Sequence, residues 1–190
     1  MNMVETLGKA GIIPVIVIEK EEQAVPLARA LVKGGLPVLE VTFRTKAAPG
    51  AIAAIRREVP EAILGAGTLL TPEMVKAAKA AGAVFGVAPG FDPVVLAAAK
   101  AEGLPMCPGI ATASELSQAL TAGCTMVKFF PAEAAGGVKL DNVADYLAVP
   151  EIVCCGGTWI VPKDALAAGD YAAIEKLAAD ASALVKKLRG

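Results

Sequence analysis

The chain has 190 residues, 55% of them hydrophobic, with 18 basic and 19 acidic side chains and no histidine. That length supports one domain, 1–190, with a substantial core. A net charge of −1 gives no electrostatic footprint for nucleic acid or a membrane surface, and the missing histidine excludes His-based triads and His-containing metal sites.

Apolar runs alternate with helical patterns along the whole chain. A first strand is predicted at 12–18. A helix follows at 21–33, with Ala24, Leu27, Ala28 and Leu31 on one face and Gly34-Gly35 as its stop. Strand 38–44 and helix 47–58 come next, then strand 63–68. Thr71-Pro72-Glu73 reads as an N-cap, a proline at the first helical position and an acid in the first turn of another helix. The cycle continues with strand 84–88, helix 93–101, strand 104–107, helix 113–122 and strand 125–130. It closes with helix 141–148, strand 152–156 and a last helix from about 164 to 188.

Repeated βα units with short turns require a parallel sheet with helices outside. No Gly-x-Gly-x-x-Gly follows the first strand, and the chemically notable residues fall near the C-terminal ends of several strands. A closed barrel is therefore expected over an open doubly wound sheet. The expected class is α/β, a (β/α)8 TIM-type barrel, but only seven strands can be found. Between strand 125–130 and helix 141–148 there is no room for a helix and another strand, so one βα step is missing there.

The start of the chain lacks a basic n-region, and no apolar run reaches the roughly 18 residues of a spanning helix. Cys107, Cys124, Cys154 and Cys155 form no CxxC pair and read as reduced core thiols. A cytoplasmic protein is expected.

Lys128 lies in the apolar run Thr125-Met126-Val127-Lys128-Phe129-Phe130-Pro131. An ammonium in a buried strand is costly, so it must find a carboxylate or lose its proton, and a desolvated neutral amine attacks ketones to form a Schiff base. The competing reading is a lysine that extends to the strand end and only pairs with an acid. In strand 38–44 the two-residue period puts Glu40, Thr42 and Arg44 on one face and Leu39, Val41 and Phe43 on the other. The polar set then points into the barrel, either as a structural Glu–Arg brace or as part of a site with Lys128. Gly65-Ala66-Gly67-Thr68 permits close backbone approach and ends in a hydroxyl, although a bend at the barrel corner would use the same glycines. Cys155-Gly156-Gly157-Thr158 could form a backbone nest for phosphate or only a tight turn.

Six segments occur in order: Leu39-Glu40-Val41-Thr42-Phe43-Arg44-Thr45, Gly65-Ala66-Gly67-Thr68, Ala88-Pro89-Gly90, Pro108-Gly109-Ile110, Lys128-Phe129-Phe130-Pro131-Ala132-Glu133 and Gly156-Gly157-Thr158-Trp159. Together they resemble the 2-keto-3-deoxy-6-phosphogluconate and 4-hydroxy-2-oxoglutarate aldolases. The resemblance implies a class I aldolase with no metal or cofactor, usually a homotrimer, acting on a keto-acid phosphate in the Entner–Doudoroff pathway. It implies Lys128 as the Schiff-base lysine and Glu40 as the general acid and base. Arg44, Thr68, Pro89 and Phe130 would contact the pyruvate end, and Gly156, Gly157 and Thr158 the phosphate.

Two departures stand out. Thr158 replaces the usual serine and keeps the hydroxyl. Members also carry a further strand between segments like Gly-Gly-Val-Lys and Asp-Asn-Val, ending in a loop with most of the phosphate contacts. Here Lys139 runs straight into Leu140. Either a disordered or deleted piece separates them, with Cα atoms much further apart than about 3.8 Å in the first case, or the bond is normal and the barrel is short of a strand. Two rival functions remain at this stage: a sugar-phosphate isomerase or epimerase, and a catalytically impaired or engineered barrel oligomer that serves as a scaffold.

Overall fold

A computed structural model describes residues 2–132 and 137–189. The chain starts with helix α1 (Met3–Ala10), which was not expected. Asn2 caps it, Gly11 ends it at φ 64°, and Met3 and Leu7, four residues apart, are its buried pair. An eight-residue helix with a central glycine gives too short a period to stand out.

The strands are β1 (Ile12–Ile16), β2 (Val38–Thr42), β3 (Ile63–Gly67), β4 (Phe85–Val87), β5 (Met106–Cys107), β6 (Gly109–Ile110), β7 (Lys128–Phe129) and β8 (Cys155–Gly157). Between them run α2 (Ala24–Lys33), α3 (Ala48–Glu58), α4 (Pro72–Ala81), α5 (Pro93–Ala101), α6 (Ala113–Thr121) and α7 (Val143–Leu147). The chain ends with α8 (Lys163–Ala168) and α9 (Tyr171–Arg189).

Local chemistry sets most of these boundaries. Thr71 accepts from the Met74 amide at 3.2 Å and Pro72 opens α4, as the sequence predicts. Thr112 and Glu115 form a reciprocal capping box on α6. Three expectations need correction. The first strand stops at Ile16 rather than 18, and residues Glu21–Gln23 form a 3-10 turn before α2. The single last helix is two, because Gly169 takes a left-handed φ of 70° and Asp170 then caps a new start through the Ala173 amide.

All strand pairs are parallel. β5 and β6 are halves of one crossing interrupted by Pro108: the first half pairs with β4 and the second with β7. The wall therefore runs β7, β6/β5, β4, β3, β2, β1, β8. Helices cover one face of this curled sheet, where Leu27, Leu31, Leu39, Ile52, Ile55 and Leu64 are fully buried. Each such side chain contributes roughly 1.5–3 kcal/mol of burial. The other face holds a separate cluster of Ile13, Val38, Phe85, Val87 and Cys107, plugged at the N-terminal end by Met3 and Leu7. Leu39 and Val41 thus face the helices and Val38 the interior, as the two-residue period requires.

The curl is left with two edges, at β7 and β8, which take no strand partner from each other among the described residues. Here the eighth wall position would fall. Lys139 and Leu140 lie in one turn: the Lys139 carbonyl accepts from the Val143 amide at 2.9 Å, and its amide donates to Asn142 Oδ1 at 2.7 Å. One hydrogen-bonded turn therefore leads from Lys139 into α7, and among the described residues no strand lies between β7 and α7. Residues 133–136, which include the last residue of the Lys128 motif, lie outside the described residues. Phe129, on the outer side of the β7 edge, is 46% exposed. Among the described residues, no helix is long and apolar enough to cross a membrane.

Candidate active site

Glu40 and Thr42 project inward from β2, opposite Gly65 and Gly67 of β3 in register. The Thr42 hydroxyl donates to the Ile16 carbonyl at 2.9 Å, which ties β2 to the end of β1 and spends that side chain on the wall. The Glu40 side chain is only 8% exposed, yet it keeps an ion-pair partner. Lys128 Nζ, from β7 and 27% exposed, stands 3.7 Å from Glu40 Oε1. That distance is an ion-pair contact but too long for a strong hydrogen bond. Burial raises the pKa of Glu40 above its ordinary value and outweighs the opposing pull of Lys128 and Arg44.

Phe130, two residues further and just past β7, places its ring centroid 4.8 Å from Nζ. Arg44 Nε donates to Thr68 Oγ1 at 3.3 Å across the ends of β2 and β3. Thr68 holds φ at +60°, an uncommon conformation for a residue with a Cβ. Pro89 follows β4, and its carbonyl packs directly on Gly109, the register partner of Lys128. Arg44, Thr68, Pro89 and Phe130 therefore follow the C-terminal ends of β2, β3, β4 and β7, while Glu40 and Lys128 project from within β2 and β7. Gly156 and Gly157 lie beside Ile13 and Pro14 of β1, at the open edge of β8, and both Gly156 and Thr158 are exposed.

Cys107 and Cys154 belong to the interior floor and were not marked by any motif. Burial, with a neighbouring cysteine adding to it, pushes both thiols up to about 12. They are inert neutral thiols at physiological pH. The only sequence signal for them was the alternation of inward positions. Arg189 was missed too. It lies at the other end of the strands, by a groove of about 630 Å3 lined in part by Val4, Gly8, Leu147 and Val153. Its guanidinium donates to the carbonyls of Val153 at 2.7 Å and Ile152 at 2.6 Å, and at longer range to Gly8 and Leu147.

A family model described as KDPG and KHG aldolase matches residues 3–141 and 134–177. The chain belongs to the KDPG and KHG aldolase family. The two matched stretches of this aldolase pattern meet across 134–141, where the βα step is missing. The 2-dehydro-3-deoxy-phosphogluconate aldolase of Treponema pallidum (strain Nichols) is 45% identical over 198 residues, 93% of this chain and 94% of its own. Those 198 aligned positions exceed the 190 residues here, so part of the relative has no counterpart. The KHG/KDPG aldolase of Escherichia coli (strain K12) is 48% identical over 196 residues, 92% of each chain. Among solved structures, KDPG aldolase from Legionella pneumophila, with pyruvate captured as a covalent carbinolamine, is similar with a TM-score of 0.91. It is 36% identical, over 96% of this chain and 98% of that one. The Zymomonas mobilis ZM4 aldolase with 3-phosphoglycerate has a TM-score of 0.88 at 38% identity, over 97% of both.

Proposed function

We propose that residues 1–190 form one class I aldolase domain that cleaves 2-keto-3-deoxy-6-phosphogluconate to pyruvate and glyceraldehyde 3-phosphate. 4-Hydroxy-2-oxoglutarate, which carries no phosphate, is the second substrate of the proposal. The observation that carries it is the buried Glu40 carboxyl 3.7 Å from Lys128 Nζ. Moving the pair's proton from nitrogen to oxygen yields a free amine beside a carboxylic acid, the two groups that imine formation needs. Burial of Glu40 favours that transfer. Catalytic contacts of this length tighten when substrate binds.

The steps then follow from these groups. The amine lone pair attacks C2 of the keto acid, and the carbonyl oxygen takes the proton from Glu40 to give a carbinolamine. The nitrogen returns a proton to Glu40, which passes it to the new hydroxyl; water leaves, and the iminium and the Glu40 carboxylate remain. Glu40, now a base, removes the C4 hydroxyl proton, directly or through a water. The C3–C4 bond breaks, its electron pair moves into the iminium, and the aldehyde departs. Protonation of the enamine at C3 and hydrolysis release pyruvate and regenerate the amine.

Arg44 and Thr68, already bonded to one another, are assigned to the substrate carboxylate and ketone, with Pro89 and Phe130 packing against the pyruvate end. Gly156, Gly157 and Thr158 are assigned to the phosphate. A cytoplasmic homotrimer in the Entner–Doudoroff pathway completes the proposal; the apolar surface left at Leu116, Leu120 and Phe129 supports association, which light scattering after size exclusion measures.

The test is reductive trapping. Borohydride with pyruvate adds pyruvic acid less one oxygen atom to Lys128, and Lys128→Ala removes both the adduct and pyruvate release while the far-ultraviolet dichroism stays unchanged. A folded wild-type chain without an adduct refutes the assignment. The open β7 and β8 edges favour a second reading, a catalytically impaired barrel retained as a scaffold, for which pyruvate release from either keto acid is absent.

A further inference from the structure

Gly67 ends β3 on the inner face, in register with Thr42 and one strand away from Glu40. Its backbone is that of an ordinary strand, so no positive φ demands a glycine. Space demands it. A Cβ at this position would run into Glu40 Oε1 and come within 2.8 Å of Glu40 Cγ and Cδ, closer than the 3.0 Å that Cβ atoms keep from their neighbours. The oxygen in that notch is the one that faces Lys128 Nζ.

We infer that Gly67 is a positioning residue: its missing side chain forms the notch that seats Glu40 Oε1 opposite Lys128. The inference rests on the reading of Lys128 and Glu40 as the catalytic pair. A methyl group at 67 leaves the carboxyl two ways out, closer to the ammonium or upward to the solvated mouth. Either move favours the anion, by stronger attraction or by recovered hydration. The acid then stays ionised to lower pH and is less able to donate its proton in the first step.

Gly65 supplies the internal comparison. It sits two residues earlier on the same face, and a Cβ there meets the Phe85 ring instead of Glu40. Its substitution disturbs packing without moving the carboxyl.

The experiment compares Gly67→Ala and Gly65→Ala in three backgrounds, wild type, Glu40→Asp and Glu40→Ala, by urea denaturation, by borohydride trapping with pyruvate and by the pH dependence of kcat and KM. In the wild-type background Gly67→Ala lowers kcat by about 100-fold, the order expected for a displacement of about 1 Å, with KM changing far less. The limb of the profile that belongs to Glu40 moves to lower pH. With Glu40→Asp, one methylene shorter, the added methyl costs little further activity. With Glu40→Ala its effect on the urea midpoint disappears, because the colliding group has gone. Gly65→Ala lowers the midpoint equally in all backgrounds and leaves the pH limb in place.

An unchanged kcat and pH limb for Gly67→Ala, or an equal loss of stability in the wild-type and Glu40→Ala backgrounds, overturns the inference. If Gly67→Ala does not fold, the Gly67→Ala, Glu40→Ala double variant decides: recovery of folding supports the notch, and failure overturns it. A wild-type chain that forms no adduct removes the catalytic reading alone, and the stability comparison still judges the notch.

Discussion

Replacing Glu40 by glutamine keeps the shape of the side chain and removes its charge, and it separates a functional acid from a structural brace. At 3.7 Å the gross attraction between Glu40 and Lys128 is about 4.5 kcal/mol for an effective dielectric constant of about 20. Burial of the carboxylate nonetheless outweighs the pull of Lys128 and Arg44 and holds the acid above its ordinary value of 4.5. The sign of the pH effect follows. As pH rises past 4.5 the unfolded chain gives up this proton while the folded chain keeps it, so wild-type stability falls until the folded-state value is passed. Glutamine has no such slope. The difference in melting temperature, Glu40→Gln minus wild type, therefore climbs as pH rises past 4.5 and levels above the folded-state value. Over the same range kcat for pyruvate release drops by roughly 10²–10⁴-fold, the usual worth of a positioned acid–base group. A variant whose stability rises relative to wild type with pH, and which loses turnover, marks a group buried for chemistry. Calorimetry across pH and a coupled pyruvate assay read both quantities. A difference that stays flat with pH, or turnover within about tenfold of wild type, refutes the reasoning.

Two further outcomes come from the parts of the fold around the gap. Arg189 fastens the segment before β8 through two short bonds to Ile152 and Val153, and it is solvent-exposed. Arg189→Ala should cost about 1–3 kcal/mol after screening, a fall of roughly 3–10 °C in melting temperature for a chain of this size. Amide exchange over 152–157 should quicken with it, and an unchanged melting temperature and exchange rate would rule the fastening out. Gly156 and Thr158 are exposed beside the free β8 edge, so a phosphate held there stays hydrated and adds little binding energy. The ratio of kcat/KM for 2-keto-3-deoxy-6-phosphogluconate to that for its unphosphorylated counterpart should stay below about tenfold, and Thr158→Ala should change it by less than about threefold. A ratio near a thousandfold would show that the phosphate site is intact.

Much of this protein is written locally. The strand–helix alternation, the Thr71 and Pro72 start of α4, and the inward face of β2 each depend on residues within one turn or one strand, and each is where the sequence places it. The missing βα step is also a matter of counting, because the span from β7 to α7 is too short to hold it. The split between α8 and α9 was legible in Gly169-Asp170, a stop followed by a cap, though the apolar period on both sides masked it.

What lay beyond the sequence involves residues far apart in the chain. Glu40 and Lys128 meet because the parallel pairing curls seven wall positions around one interior, and no local pattern encodes a separation of 3.7 Å. The acid's raised affinity for its proton is a sum of desolvation over every neighbour, so it follows from the packed interior rather than from residue type. The notch at Gly67 and the Arg189 fastening are of the same kind, since each is a fit between elements that only the assembled sheet brings into contact. Backbone preference and periodicity act over a few residues, whereas distance, burial and charge interaction belong to the assembled fold.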